Sequence, residues 1–266
     1  MPKVTVNNVE LHYEETGSGP PIVFAHGLLW SGWQFHNQVA ALKDRFRCIT
    51  YDYRGQGQSL VTPSGYDMDT LTDDVASFIE KLDIAPVHFV GLSMGGFVAM
   101  RLAARRPELV RSLVLIGTSA DAEPAERVPW ESLLTYVARW LSLRLVVGKV
   151  MKLYFGDRFL ADPAKEELRA ECRRRLCAVS KAGASRAVRG VIERLPIRDE
   201  ISRIKVPTLV MVGEHDELTS HEKSHFIQDH IAGAKLVVIP HSGHTCILEE
   251  PAAVNQALLD FYKGLS

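Results

Sequence analysis

No stretch of this chain is long and apolar enough to cross a bilayer. The most hydrophobic one, near Leu141 to Val147, is interrupted by Arg144 and flanked by Arg139 and Lys149, whereas a spanning helix needs about 20 apolar residues. The opening Met1-Pro2-Lys3-Val4-Thr5-Val6 lacks the apolar core of a secretion signal. Cysteine is scarce, and Cys48, Cys172, Cys177 and Cys246 show no metal-ligand spacing. Reduced structural thiols in a cytoplasmic protein are the expectation. Charge imbalance is missing as well. With a net charge of −1, nothing marks the chain for nucleic acid or an anionic membrane. Repeats and low-complexity linkers are also absent; a homo-oligomer is left open.

What is present is ordinary for a globular protein: 266 residues, 46% hydrophobic and 24% charged. That is enough for one large α/β domain with an insertion, or for two small domains. Val4, Val6, Val9, Leu11 and Tyr13 alternate around Asn7-Asn8, which predicts an antiparallel hairpin. Short, nearly continuous apolar runs follow at 22–25, 48–51, 87–90, 113–116, 208–212 and 236–239. Runs without alternation predict strands covered on both faces, as in a parallel sheet. Helical patterns lie between them. Leu71, Val75, Phe78, Ile79 and Leu82 form an apolar stripe, and another helix is predicted from Met94 to Arg105, before Pro107. The rhythm breaks between Ala120 and Lys205, where 130–154, 163–181 and 185–195 all read as helices. Glu167, Glu171 and Arg175 fit a solvated helical face. The expected division is a core of 1–120 and 205–266 with a helical cap inserted at 121–204.

Gly91-Leu92-Ser93-Met94-Gly95 spells Gly-x-Ser-x-Gly between an apolar run and a helical pattern. Strand, sharp turn and helix is the context of a nucleophile elbow, in which flanking glycines remove clashes around a strained serine. A serine hydroxyl needs a neighbouring base, and the base needs an orienting acid. The run 208–212 leads through Gly213-Glu214-His215 to Asp216, and the run 236–239 leads to a loop carrying His241 and His244.

Together with His26-Gly27, the segment from Asp52 to Ser59 and Ser242-Gly243-His244, these motifs resemble the α/β-hydrolase superfamily, in its small cap-bearing branch of esterases, lactonases and cofactor-free haloperoxidases. The resemblance implies a doubly wound, mostly parallel sheet of about eight strands with an antiparallel start and a helical cap after the sixth strand. It further implies Ser93 as nucleophile, Asp216 as acid and His244 as base. The backbone N–H groups of Leu28 and Met94 would form the oxyanion hole.

Asp121 is the rival acid and His241 the rival histidine. His26 reads as a structural histidine, and Asp52 and Arg54 as a structural turn. Leu29, Trp30, Trp130, Leu134 and Val137 are the candidate pocket residues; a largely apolar wall favours a small, fairly apolar substrate. The expected reaction is hydrolysis of a carboxylic ester or lactone, without metal or organic cofactor. Perhydrolysis, carbon–carbon hydrolysis and a non-catalytic ligand receptor are the alternatives.

Overall fold

The computed structural model describes residues 2–129, 132, 136, 139 and 143–265. β1 (Lys3–Val6) and β2 (Val9–Thr16) form the predicted hairpin, with Asn7 and Asn8 both at positive φ in its turn. β3 (Pro21–Ala25), β4 (Arg47–Tyr51), β5 (Val87–Leu92), β6 (Val110–Ile116), β7 (Thr208–Gly213) and β8 (Lys235–Ile239) complete an eight-stranded sheet in the order β1-β2-β4-β3-β5-β6-β7-β8. From β4 to β8 every pairing is parallel, and the antiparallel pairings are β1 with β2 and β2 with β4.

Unbroken apolar strands arise because both faces are covered. Val23, Ala25, Phe89, Leu113 and Leu115 pack on one face with α2 (Met68–Lys81) and α3 (Met94–Arg105). Ile22, Phe24, Val90, Val114 and Ile116 pack on the other with α1 (His36–Leu42), and with Val254 and Leu258 from further along the chain. Strand side chains alternate, so a fully buried strand must be apolar at every position. α2 starts where the Asp67 carboxylate accepts the Thr70 N–H, and α3 ends before Pro107, as predicted.

β8 corrects the expectation of burial on both faces. It is the sheet edge, and Val238 is 42% exposed; a strand with one neighbour is covered only as far as adjoining helices reach.

Between β6 and β7 the described residues contain α4 (Leu143–Tyr154), α5 (Asp157–Ala161), α6 (Glu166–Ala178) and α7 (Lys181–Ile192), and no strand. The helix expected across 163–181 breaks at 179–180, and the next begins at Lys181 rather than Ser185. Ser180 caps that start by accepting the Gly183 N–H. The face of Glu167, Glu171 and Arg175 is only partly solvated: the Arg175 guanidinium lies 4.0 Å over the Trp33 ring. α8 (His221–His230), α9 (Cys246–Glu249) and α10 (Pro251–Lys263) close the chain. Among the described residues no helix is long and apolar enough to cross a membrane.

Candidate active site

Ser93 connects the carboxyl end of β5 to α3 with φ 53 and ψ −114. A non-glycine residue at positive φ is strained and must be held. Its N–H donates to Ile116 O at 2.8 Å, and its carbonyl accepts from Gly96 N, Phe97 N and the Thr118 hydroxyl. The glycines permit the close packing: a Cβ on Gly91 would strike the Gly95 carbonyl, and one on Gly95 the Ala25 carbonyl.

Asp216 follows β7 and His244 follows β8. The His244 Nδ1 lies 2.9 Å from Asp216 Oδ2 and 3.1 Å from Oδ1, with both side chains buried. A carboxylate only accepts, so Nδ1 carries the proton and Nε2 is left as an acceptor. Thr219 secures the acid by donating its hydroxyl to Oδ2 at 2.6 Å and its N–H to Oδ1 at 2.9 Å. Burial pushes the Asp216 carboxyl up in pKa; the charge and hydrogen bond of His244, with the Thr219 donors, outweigh that and hold it below the ordinary aspartate value. Ser93 and His244 line one cavity, and among the described residues no hydrogen bond joins them.

The loop after β3 is bound almost completely. Gly27 N donates to Gln34 Oε1, Gly27 O accepts from His26 Nδ1 and Trp30 N, Leu28 O accepts from the Tyr154 hydroxyl, and Leu29 N donates to Gln56 Oε1. Leu28 N–H is left without a protein acceptor among the described residues, as is Met94 N–H at the start of α3. Both residues line the cavity. They arrive from β3 and β5, adjacent strands whose outgoing connections turn to opposite sides of the sheet. Such a switch point opens a crevice at the strand ends.

Residues 20–251 match the family model described as alpha/beta hydrolase fold. The chain belongs to that family. It is similar to "Putative non-heme bromoperoxidase BpoC" of Mycobacterium tuberculosis, with 32% identity over 97% of this chain and 99% of that protein. Among solved structures it is similar to the enol-lactonase from Burkholderia xenovorans, with a TM-score of 0.92, 29% identity and coverage of 98% of this chain and 100% of that one. A thermophilic esterase from Thermogutta terrifontis also superposes with a TM-score of 0.92, at 26% identity over 99% of both chains. The protein is thus a hydrolase of the α/β-hydrolase family.

In this hydrolase the rival site residues lie elsewhere. Asp121 pairs with Arg198 at 2.5 Å and bonds to Ser119. His241 is exposed. His26 is buried and accepts the Tyr53 N–H, and burial lowers its pKa. Asp52 accepts from Gly32 N and Gln58 N, while Arg54 is paired bidentately with buried Asp74 at 2.7 Å. These contacts build the turn that carries Gln56.

Leu29 lines the cavity as expected, whereas Trp30 must be corrected. It is 3% exposed and packs against Trp33, Tyr154 and Phe155 behind the loop, leaving Leu28 and Leu29 at the wall. Trp130, Leu134 and Val137 fall outside the described residues. Sequence reasoning missed Thr219, Gln56, Tyr154 and Glu249. The spacing of Asp216 and Thr219 is a turn signal that could have revealed the first. Tyr154 O accepts both Thr245 N and the Thr245 hydroxyl, and its ring stacks 5.9 Å from His244. Buried Glu249 accepts the N–H groups of Gly156 and Gly243.

Proposed function

We propose that this hydrolase cleaves small carboxylic esters or lactones through an acyl-enzyme on Ser93. The observation that carries the reading is a single cavity bounded by an elbow serine and by a histidine whose Nδ1 is fixed by a buried carboxylate. On substrate binding the Ser93 side chain turns onto His244 Nε2, which takes its proton as Oγ attacks the carbonyl carbon. The carbonyl oxygen becomes an anion between Leu28 N–H and Met94 N–H. His244 returns the proton to the leaving alkoxide. It then deprotonates a water that attacks the acyl carbon and releases the acid. Asp216 holds the tautomer and stabilises the imidazolium.

The cavity has room for about 140 Å³, close to the space that admits one benzene-sized ring. This favours a compact acyl group or lactone. The helices between β6 and β7 serve as the cap, since Val146, Val150, Tyr154 and Val188 stand in the cavity wall. We place the protein in the cytoplasm because its cysteines are all free.

The likeness to a protein named as a bromoperoxidase favours a second reading, in which hydrogen peroxide replaces water and a peracid leaves. A series of 4-nitrophenyl acetate and butyrate with γ-lactones tests the first. Turnover abolished by Ser93→Ala supports it. Failure on every ester and lactone, with peracid formed from acetate and peroxide, supports the second. Failure in both assays returns the protein to a ligand receptor.

A further inference from the structure

Apart from Ser93, His244, Tyr154, Ser185 and Thr219, the polar groups of the cavity wall are ionic: Glu123, Arg127, Arg194 and Lys223. Glu123 is already taken: it accepts from Arg194 Nη1 at 2.5 Å, and both side chains are nearly buried. Arg127 donates to the carbonyls of Glu217 and Leu218 at 2.7 and 2.9 Å and pairs with no carboxylate among the described residues. The Lys223 ammonium forms neither a hydrogen bond nor an ion pair with any described residue. It is nevertheless half-buried, and burial lowers its pKa; Glu123 and Asp121 oppose that, while Arg194 and Arg127 add to it.

Its position makes the lone charge more costly. Lys223 lies in the first turn of α8, where the helix dipole favours anions and opposes a cation. The surface hollow that Lys223 also borders contains Asp121, Glu222 and Asp229. None of these pairs with it, and Asp121 is held by Arg198. A half-buried ammonium beside two guanidiniums, with Glu123 and Asp121 each paired to an arginine, has no carboxylate bonded to it among the described residues.

We propose that the missing counter-charge is supplied by the substrate: the hydrolase takes esters or lactones whose acyl part ends in a carboxylate, received by Lys223. This rests on the serine-hydrolase reading of the same cavity. A carboxylate fits better than a phosphate, because the donors of one ammonium match a two-oxygen monoanion and leave a dianion undercompensated. Arg127, held by the Glu217 and Leu218 carbonyls, and Arg194, held by Glu123 and the Asp121 and Val191 carbonyls, add positive field to the site. The apolar side chains then contact the carbons between the carboxylate and the reacting carbonyl.

The test compares mono-4-nitrophenyl glutarate with 4-nitrophenyl pentanoate, corrected for uncatalysed release. The expected result is a kcat/KM at least about tenfold higher for the anionic ester, in line with one charge-assisted hydrogen bond. The preference should shrink as salt is raised. Lys223→Met should lower the anionic-to-neutral ratio about tenfold, and Lys223→Arg should restore most of it. Separately, calorimetry on Ser93→Ala protein should detect monomethyl glutarate binding that the added Lys223→Met weakens about tenfold. Turnover with no charge preference, or a ratio that Lys223→Met leaves unmoved, overturns the carboxylate subsite alone. Lys223-dependent binding without turnover of either ester preserves the subsite and overturns the serine-hydrolase reading.

Discussion

The Tyr154 hydroxyl donates a 2.9 Å hydrogen bond to the Leu28 carbonyl across 126 residues of sequence. That carbonyl and the Leu29 N–H belong to one peptide, and the N–H is bound by Gln56 at 2.7 Å. The plane is therefore pinned from both sides, which fixes the direction of the neighbouring Leu28 N–H. Tyr154→Phe removes one pin without emptying the space. We expect kcat to fall about tenfold, part of the roughly 3 kcal/mol that a whole oxyanion donor supplies, with KM within about twofold. A boronate transition-state analogue should lose affinity in proportion to kcat. Equal losses in kcat and in substrate affinity would assign Tyr154 to the pocket wall instead.

The bond between Asp216 and His244 carries the second prediction. Asp216→Asn keeps the shape but presents a donor where His244 needs an acceptor, favouring the wrong tautomer. His244→Ala removes the proposed base. Each should lower turnover by roughly 10³-fold or more while circular dichroism stays unchanged. Asp121→Asn changes a side chain that bonds only Arg198 and Ser119 among the described residues, and it should leave turnover near wild type. A damaging Asp121→Asn with a tolerated Asp216→Asn would transfer the acid to the strand before.

The contrast between these residues explains what the sequence could reveal. The strands were legible because burial on both faces requires unbroken apolar runs, and so was the placement of Ser93, Asp216 and His244 after β5, β7 and β8, because each follows such a run in a motif of its own. β8 misled for the same reason: its composition is that of a buried strand, and only the sheet order shows it at the edge. Tyr154 and Glu249 were illegible because their partners, Leu28 and Gly243 with Gly156, are joined to them by folding rather than by spacing. Trp30 failed at the finest scale. Neighbouring loop residues point to opposite sides, and no pattern in a single loop says which faces the cavity.

Glu249 gives a prediction with a pH sign. Its Oε2 accepts Gly156 N at 2.9 Å and Gly243 N at 3.0 Å, tying the end of α4 to the loop that carries His244. Burial raises its pKa above the ordinary value of 4.5, against the pull of those N–H donors. A raised carboxyl pKa means that the folded chain holds the proton longer than the unfolded one. The group therefore costs stability as pH rises from about 4.5 through the folded value, and the cost is complete above it. Glu249→Gln keeps an acceptor and removes the charge, so its stability relative to wild type should improve between pH 4.5 and 7.5 in urea melts. The depressed Asp216 acts in the opposite sense, losing its contribution at low pH, but it is common to both proteins and cancels in the difference. Glu249→Ala should instead cost about 2–4 kcal/mol, because two buried N–H groups lose their acceptor. A constant difference between Glu249→Gln and wild type across that range would show that the carboxyl ionises without penalty.

Two glycines should respond in opposite ways to one added methyl group. Gly95 has no room, because its Cβ would enter the Ala25 carbonyl, an atom of the β3 backbone. Relieving the overlap moves the elbow away from the loop that carries Leu28. Gly95→Ala should therefore cost on the order of 3 kcal/mol and depress kcat further than stability alone explains. Gly148 is exposed in the middle of α4, and a Cβ added there would meet nothing within 4 Å. There alanine only restricts the unfolded chain and improves helix propensity, worth about 0.5–1 kcal/mol. Thermal melts should show Gly148→Ala rising by about 2 °C with kcat/KM unchanged. A fall in its melting temperature would mean that α4 needs flexibility at this point, and α4 would then have to be treated as a moving part of the site.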